Sequence, residues 1–203
     1  MFRSATPLRT RRSRIDGFSM VELAVSLTVL MILTAIAIPS LMHSFRTYQL
    51  NDTAARLSDM LKFTRFEAVR RNKAVPFQLA QFGNDWIAWA DPDNDGVPDP
   101  IEKQVRISGF GTLLPAGGGP PTPTAITNAV GALTPTPAGP GPLQFDARGA
   151  VRVSGVLTAS VYVFYVGAAA TPDEYGYRAV ILLPSGATQI WSAPAGGPWK
   201  RTG

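Results

Sequence analysis

The sequence predicts an α+β fold, with one long N-terminal helix, hydrophobic in its first half, packed on a C-terminal antiparallel β domain. Three observations predict it. Residues 18–38 form an apolar run broken by a single charge. Residues 50–68 carry apolar and small side chains at alternating three- and four-residue steps, the period of a helix face. From Val75 onward, short β-branched and aromatic segments alternate with turn residues. With 19 Gly and 18 Pro in 203 residues, that part favours strands and loops over helices.

The first element, residues 1–17, is a basic leader. Arg3, Arg9, Arg11, Arg12 and Arg14 stand against Asp16, so this stretch holds a net +4 of the chain's +5, and the remainder is left at +1. The basicity belongs to a targeting element rather than to a DNA-binding face. The absence of cysteine excludes disulfides, thiol catalysis and Cys-based zinc sites. His43 is the sole histidine, which leaves little material for a His-based metal site or a Ser-His-Asp triad.

The second element is the hydrophobic half of the helix, residues 18–39. At about 1.5 Å per residue it is long enough for a hydrocarbon core of roughly 30 Å. The preceding arginines stay cytoplasmic and place the C-terminal bulk on the other side. A secretory signal cut after Ala35-Ile36-Ala37 is the plainer alternative. Against it, signal apolar regions run about 7–15 residues, and Glu22 sits near the start of this one. A carboxylate in hydrocarbon is costly and marks a functional site by default.

From Gly17 onward, the basic leader, the Gly17-Phe18 junction, Glu22, the unbroken apolar helix and Pro39 together closely resemble the class III signal of type IV prepilins. The resemblance implies a type IV pilin-like fold. It implies that prepilin peptidase cuts after Gly17, that the new Phe18 amine is methylated, and that Glu22 is the family's assembly carboxylate. On a helix Glu22 would share a face with Phe18 and lie near the positive end of the helix dipole. An ammonium and a carboxylate removed from water each need a partner. The Phe18 amine of the same chain and that of a neighbouring subunit both remain open as that partner.

The third element, residues 40–73, continues the helix amphipathically. Leu50, Ala54, Leu57, Leu61, Thr64 and Ala68 line one face, while Asp52, Arg56, Asp59, Lys62 and Arg70 occupy others. Asn72 and the pre-proline Val75 end it. The β domain, residues 74–203, is expected to hold strands at Val75–Ala80, Trp86–Ala90, Lys103–Ile107, Leu143–Phe145, Ala150–Val153, Ala159–Val166, Tyr177–Leu183 and Thr188–Trp191. Short connections make them antiparallel, and the Pro/Gly/Thr-rich residues 115–142 read as a mobile loop. "LKFTRFEAVRRNKAVPFQL" resembles the helix-to-strand junction of GspH/FimT pseudopilins and minor pilins, whose members carry an AR-x-EA-x-xRN pattern. "WIAWADPDNDGVPDPIEKQVRI", "LQFDARGAV" and "VILLPSGATQIW" resemble that family's later strand and turn motifs.

Within the Asp91–Glu102 loop, Asp91, Asp93, Asp95, Asp99 and Glu102 fall at loop positions 1, 3, 5, 9 and 12, with Gly96 at 6 and the Val97 carbonyl at 7. That is the ligand spacing of a Ca2+ loop. The competing expectation is a polar hairpin turn, since Asp, Asn, Gly and Pro form turns without a metal. The flanks read as strands rather than EF-hand helices.

FimT-type minor pilins that bind DNA for uptake use a Gly-Arg-x-Arg pattern. Here the matching turn is Gly186-Ala187-Thr188-Gln189, with both arginines missing. Trp199, Lys200 and Arg201 offer one stacking ring and two charges; a frayed terminus is the alternative, and nucleic acid is not an expected partner. No nucleophile has a recognisable base beside it, and no phosphate-cradling loop is present, so an enzyme is not expected.

The resemblance implies a minor subunit of a type II secretion pseudopilus or a type IV pilus. It would be anchored once in the inner membrane with its C-terminal domain periplasmic, then assembled with other pilins or pseudopilins by the inner-membrane platform. The alternatives are a DNA-binding subunit for DNA uptake and an exported β domain.

Overall fold

The computed structural model describes residues 17–114, 120–136 and 143–203. The leader, apart from Gly17, and the two Pro/Gly-rich stretches 115–119 and 137–142 lie outside the described residues. Helix α1 (Met20–Arg71) comes first. It starts later than the apolar run because Ser19 stays outside as its cap. Ser19 Oγ accepts the Glu22 N–H at 3.1 Å, and the Ser19 carbonyl accepts the Leu23 N–H at 3.0 Å. The other end is a Schellman turn, two residues short of the expected end at 73. Asn72 takes φ +51°, and the N–H groups of Asn72 and Lys73 reach the carbonyls of Val69 and Ala68, each at 3.2 Å.

The chain divides between Met42 and His43 into two units. In the first, every described residue is exposed. The second, His43–Gly203, has its own core. There, all six residues of the predicted helix face, Leu50, Ala54, Leu57, Leu61, Thr64 and Ala68, are buried, joined by Ser58, Met60 and Glu67. Each large apolar side chain so buried contributes about 1.5–3 kcal/mol.

Beyond α1 the order is β1 (Val75–Phe82), β2 (Asp85–Ala90), β3 (Gln104–Ile107), β4 (Gly111–Leu114), α2 (Thr124–Val130), β5 (Leu133–Thr136), β6 (Leu143–Phe145) and β7 (Val151–Val153). Then follow β8 (Val156–Leu157), β9 (Val161–Ala168), α3 (Pro172–Tyr175), β10 (Tyr177–Leu182), β11 (Thr188–Ala193) and β12 (Lys200–Arg201). One sheet runs β3-β2-β1-β6-β7-β8, the other β12-β11-β10-β9-β4. The free edge of β9 is shared. Its C-terminal half pairs antiparallel with β4, and its N-terminal half pairs parallel with β5, from Leu133↔Val161 to Thr136↔Phe164. Every other pair among the described residues is antiparallel, as expected; the parallel pair comes from β5, a strand the sequence did not predict.

β9 is buried along its whole length, which explains why it reads as a continuous apolar run rather than an alternation. Tyr162, Phe164 and Val166 face the core built on α1, with Val180 and Leu182 of β10. Val161, Val163 and Tyr165 face a second core with Tyr177, Ala179, Ile181 and Trp191. Ile126 of α2 and Trp199 close that second core.

This corrects two expectations. The described part of the Pro-rich segment, residues 120–136, is not a mobile loop. It places α2 and β5 on the second sheet, because Ile126, with no exposed surface, supplies an apolar plug that composition averages away. The C-terminus is not frayed either. β12 pairs with β11 (Trp191↔Arg201, Ser192↔Lys200), and the Trp199 indole Nε1 donates to the Pro121 carbonyl at 3.1 Å.

Candidate functional site

The N-terminal segment is built to lie in an apolar medium. From Met20 to Met42 it is a helix with no buried face, and its large side chains, among them Met20, Met31, Ile36 and Leu41, are well exposed. Both threonine hydroxyls within it are turned onto the backbone. Thr28 Oγ1 donates to the Ala24 carbonyl at 2.9 Å and Thr34 Oγ1 to the Leu30 carbonyl at 2.6 Å, so neither asks for water. Gly17, Phe18 and Ser19 precede the helix. With Ser19 as the cap, Glu22 stands at the third helical position of a Ser-x-x-Glu capping sequence. Phe18 is not helical, so the expected shared face of Phe18 and Glu22 is not built in this state of the chain. Ser19 is a residue the sequence reading passed over, although the Ser19-to-Glu22 spacing carries the signal.

A second constellation joins the helix to the sheets. Arg65 Nε donates to the Gly149 carbonyl at 3.1 Å. Gly149 and Gly186 both have positive φ, +78° each, and stand back to back: a Cβ on Gly186 would collide with the Gly149 carbonyl, and one on Gly149 would lie 2.7 Å from Arg65 Nε. Gly149 ends a turn held by Asp146, whose Oδ1 accepts the Arg148 and Ala150 N–H groups, each at 2.9 Å. Burial alone would raise the Asp146 pKa, but these bonds and Arg152 hold it below the usual range. On the last turn of α1, buried Glu67 accepts from Arg70 at 2.6 and 2.8 Å and from Arg71. The Arg70 bond, against a smaller cost of burial and with help from Arg71, lowers the Glu67 pKa to about 2.

The acidic loop joins β2 to β3, which pair antiparallel, so its flanks are strands. Asp91 is wholly buried. Its Oδ1 accepts the N–H groups of Asn94 (2.6 Å) and Asp95 (3.2 Å), and its Oδ2 those of Gly96 (3.0 Å) and the Gln78 side chain (3.1 Å). Asn94 and Gly96 take positive φ to present those groups. Carboxylate oxygens of Asp91, Asp93 and Asp95 lie within 4.8 Å of one another. Asp99 and Glu102 stand outside that triad, and the Asp99 N–H donates to Glu102 Oε2 at 3.1 Å. The Val97 N–H is engaged by Asp95 Oδ1 at 2.8 Å.

At the tail, Trp199 is only 3% exposed and tilted against Tyr165 at 5.8 Å between ring centroids, while Lys200 and Arg201 are exposed. The one ring that the tail offers for stacking is spent on the core.

Comparison with known families decides the lineage. A model of the type II transport protein GspH matches residues 53–186, well over half of the chain, and a model of the prokaryotic N-terminal methylation motif matches residues 12–38. The chain belongs to the GspH family. No curated protein and no solved structure matches it.

This GspH-family chain is therefore a minor pseudopilin or pilin, a member of a structural rather than catalytic family, and its N-terminal motif and exposed apolar helix mark a membrane anchor. The GspH match contains the whole junction of Arg65, Glu67, Asn72, Gly149 and Gly186, together with the acidic loop. The stretch resembling AR-x-EA-x-xRN thus has a physical content. Arg65 holds the Gly149 turn, Ala68 fits the core with no exposed surface, Arg71 pairs Glu67, and Asn72 turns the chain out of the helix. Trp199, Lys200 and Arg201 lie beyond the matched residues.

Proposed function

We propose that this protein is a minor pseudopilin of a type II secretion pseudopilus, or the equivalent minor subunit of a type IV pilus. Prepilin peptidase cuts it after Gly17, and the Phe18 amine is methylated. The helix from Met20 then holds it in the inner membrane with the β domain periplasmic, until the assembly platform passes it into a fibre with other pilins. The observation that carries this is the coincidence of the GspH match with a helix half whose sides are all apolar and all exposed. Such a surface needs lipid first and neighbouring helices later.

Glu22 supplies register in that fibre. Its own Phe18 precedes the helix, so the amine of a neighbouring subunit is the better-placed partner for a carboxylate otherwise stranded in hydrocarbon. Mass spectrometry of the mature protein tests the reading: an N-terminus at methylated Phe18 supports it, and one at Ile38 overturns it in favour of an ordinary exported domain. The DNA-uptake version is weakened by the buried Trp199 and by Ala187 and Gln189 at the two arginine positions. Gel shifts at two salt concentrations separate it from a purely structural role.

A further inference from the structure

The acidic loop does more than turn the chain. Across the face of the first sheet that points away from α1, Gln78, Trp89 and Gln104 stand side by side in register. Both glutamines grip the loop: Gln78 Nε2 holds the Asp91 carboxylate, and Gln104 Nε2 reaches the Asp99 carbonyl at 3.4 Å. Trp89 between them is 3% exposed although it belongs to neither core.

Among the described residues, two buried side-chain polar atoms have no hydrogen-bond partner, Glu102 Oε1 and Trp89 Nε1, and both belong to this hairpin. Glu102 is nine-tenths buried. A buried carboxylate oxygen without a donor is costly, and among the described residues no ion pair relieves it. Burial raises the Glu102 pKa, and Asp91, Asp93 and Asp95 each raise it further, so the carboxylate sits in the field of all three.

We propose that the Asp91–Glu102 loop binds a calcium-class divalent cation through the carboxylates of Asp91, Asp93, Asp95 and Glu102. The donors are all oxygen, which suits a hard cation, and the loop offers no His or Cys for zinc. Oxygens that ligate one ion at about 2.3–2.6 Å lie within about 5 Å of one another, and the aspartate triad, at 4.8 Å or less, meets that condition. Asp91 organises the site. By accepting the N–H groups of residues 94–96 it turns the backbone so that Asp93 and Asp95 converge with it. Glu102, the last position of the loop, offers Oε1, which has no hydrogen-bond partner, as a further oxygen ligand beside the triad. The cation neutralises the carboxylates and fixes the β2–β3 hairpin.

The test uses the full chain in detergent, stripped of metal with a chelator. Terbium(III) luminescence excited through tryptophan, calcium competition and calorimetry with calcium chloride are read together. Saturable calcium binding is expected with Kd at or below about 10⁻³ M, the weak end for extracellular sites, and with magnesium at least tenfold weaker. Asp93 and Asp95 are exposed, so a chain carrying both Asp93→Asn and Asp95→Asn should keep its circular dichroism and lose affinity at least tenfold. Glu102→Gln should lose a similar factor. The proposal is overturned by the absence of calcium heat up to about 10 mM, above the usual extracellular range, by magnesium binding as well as calcium, or by the doubly substituted chain binding with unchanged affinity. None of these results bears on the processing of the N-terminus.

Discussion

Replacing Glu67 with Gln removes one charge from the last turn of α1 while keeping the side chain's shape. In the folded chain the Glu67 pKa falls from the ordinary 4.5 to about 2, first through the Arg70 hydrogen bonds, against the cost of burial, and then through Arg71. At about 1.4 kcal/mol per pH unit, that difference is worth about 3 kcal/mol to the charged form. The carboxylate is buried, but the Arg70 and Arg71 side chains are 55% and 41% exposed, so solvent screening reduces the usable amount to about 1–2 kcal/mol. Glu67→Gln should therefore lower the melting temperature at pH 7 by about 3–6 °C for a chain of this size. A carboxylate with a depressed folded pKa stabilises fully above its unfolded pKa, and that stability drains away as pH falls through the folded value. The gap between wild type and variant should thus be complete above about pH 5, more than half closed by pH 3 and gone below pH 2. Thermal unfolding of both proteins in detergent, followed by near-ultraviolet circular dichroism, measures it. Equal stability at pH 7, or a gap that stays constant from pH 6 to pH 2, would refute the assignment of the lowered pKa to this ion pair.

Gly186→Ala forces a side chain into a left-handed backbone and against the Gly149 carbonyl, and should cost at least about 2 kcal/mol in denaturant unfolding. Gly149→Ala should be milder, because its collision is with the movable Arg65 side chain. Trp199→Ala, which empties part of the second core, should cost about 3–5 kcal/mol. Lys200→Ala with Arg201→Ala should change stability by less than about 0.5 kcal/mol and leave the gel-shift result unaltered. Glu22→Ala should still be cut and methylated, yet fail to enter fibres when scored by co-purification with the other subunits. Ser19→Ala, which removes only the cap, should cost about 1 kcal/mol of helix stability without blocking assembly.

Local signals carried furthest where the physics is local. The six-residue face of α1 was readable because helical period alone decides which side chains share a face, and the core accepted all six. Asn72 was readable as a stop, because an asparagine tolerates the left-handed turn that a Schellman cap demands. The misses are pairings between distant segments. β4 is four residues, Gly111–Leu114, and exists because the C-terminal half of β9 offers it an edge. β5 contains Pro135 and lies parallel, and neither composition nor spacing hints at the edge it joins. The two charges of β12 read as a solvated tail, and only its partner Trp191 makes it a strand. At the acidic loop the spacing named the carboxylates, but not their different situations: Asp91 is buried and holds the N–H groups of the turn, whereas Glu102 is buried and half unsatisfied. Gln78 and Gln104 were invisible as loop anchors, since their role depends on cross-strand register around Trp89.

Helix α1 serves two solvents in succession, and its sequence shows where one gives way to the other. Up to Met42 no face is buried, and the threonine hydroxyls are folded back onto carbonyls, as a segment leaving water requires. From Leu50 onward a single face is buried, and the outer faces carry ion pairs such as Asp52–Arg56 at 2.7 Å and Asp59–Lys62 at 3.1 Å. Pro39 lies just before the division of the chain at Met42. A proline there denies the Ala35 carbonyl its helical N–H partner and weakens the helix by about 3 kcal/mol. Glu22 belongs to the first of the two units, where every described residue is exposed, so Glu22→Ala should leave the core of the β domain intact. Its backbone N–H donates to Ser19 Oγ at the helix start, and its carboxylate is the group we propose for a partner at assembly.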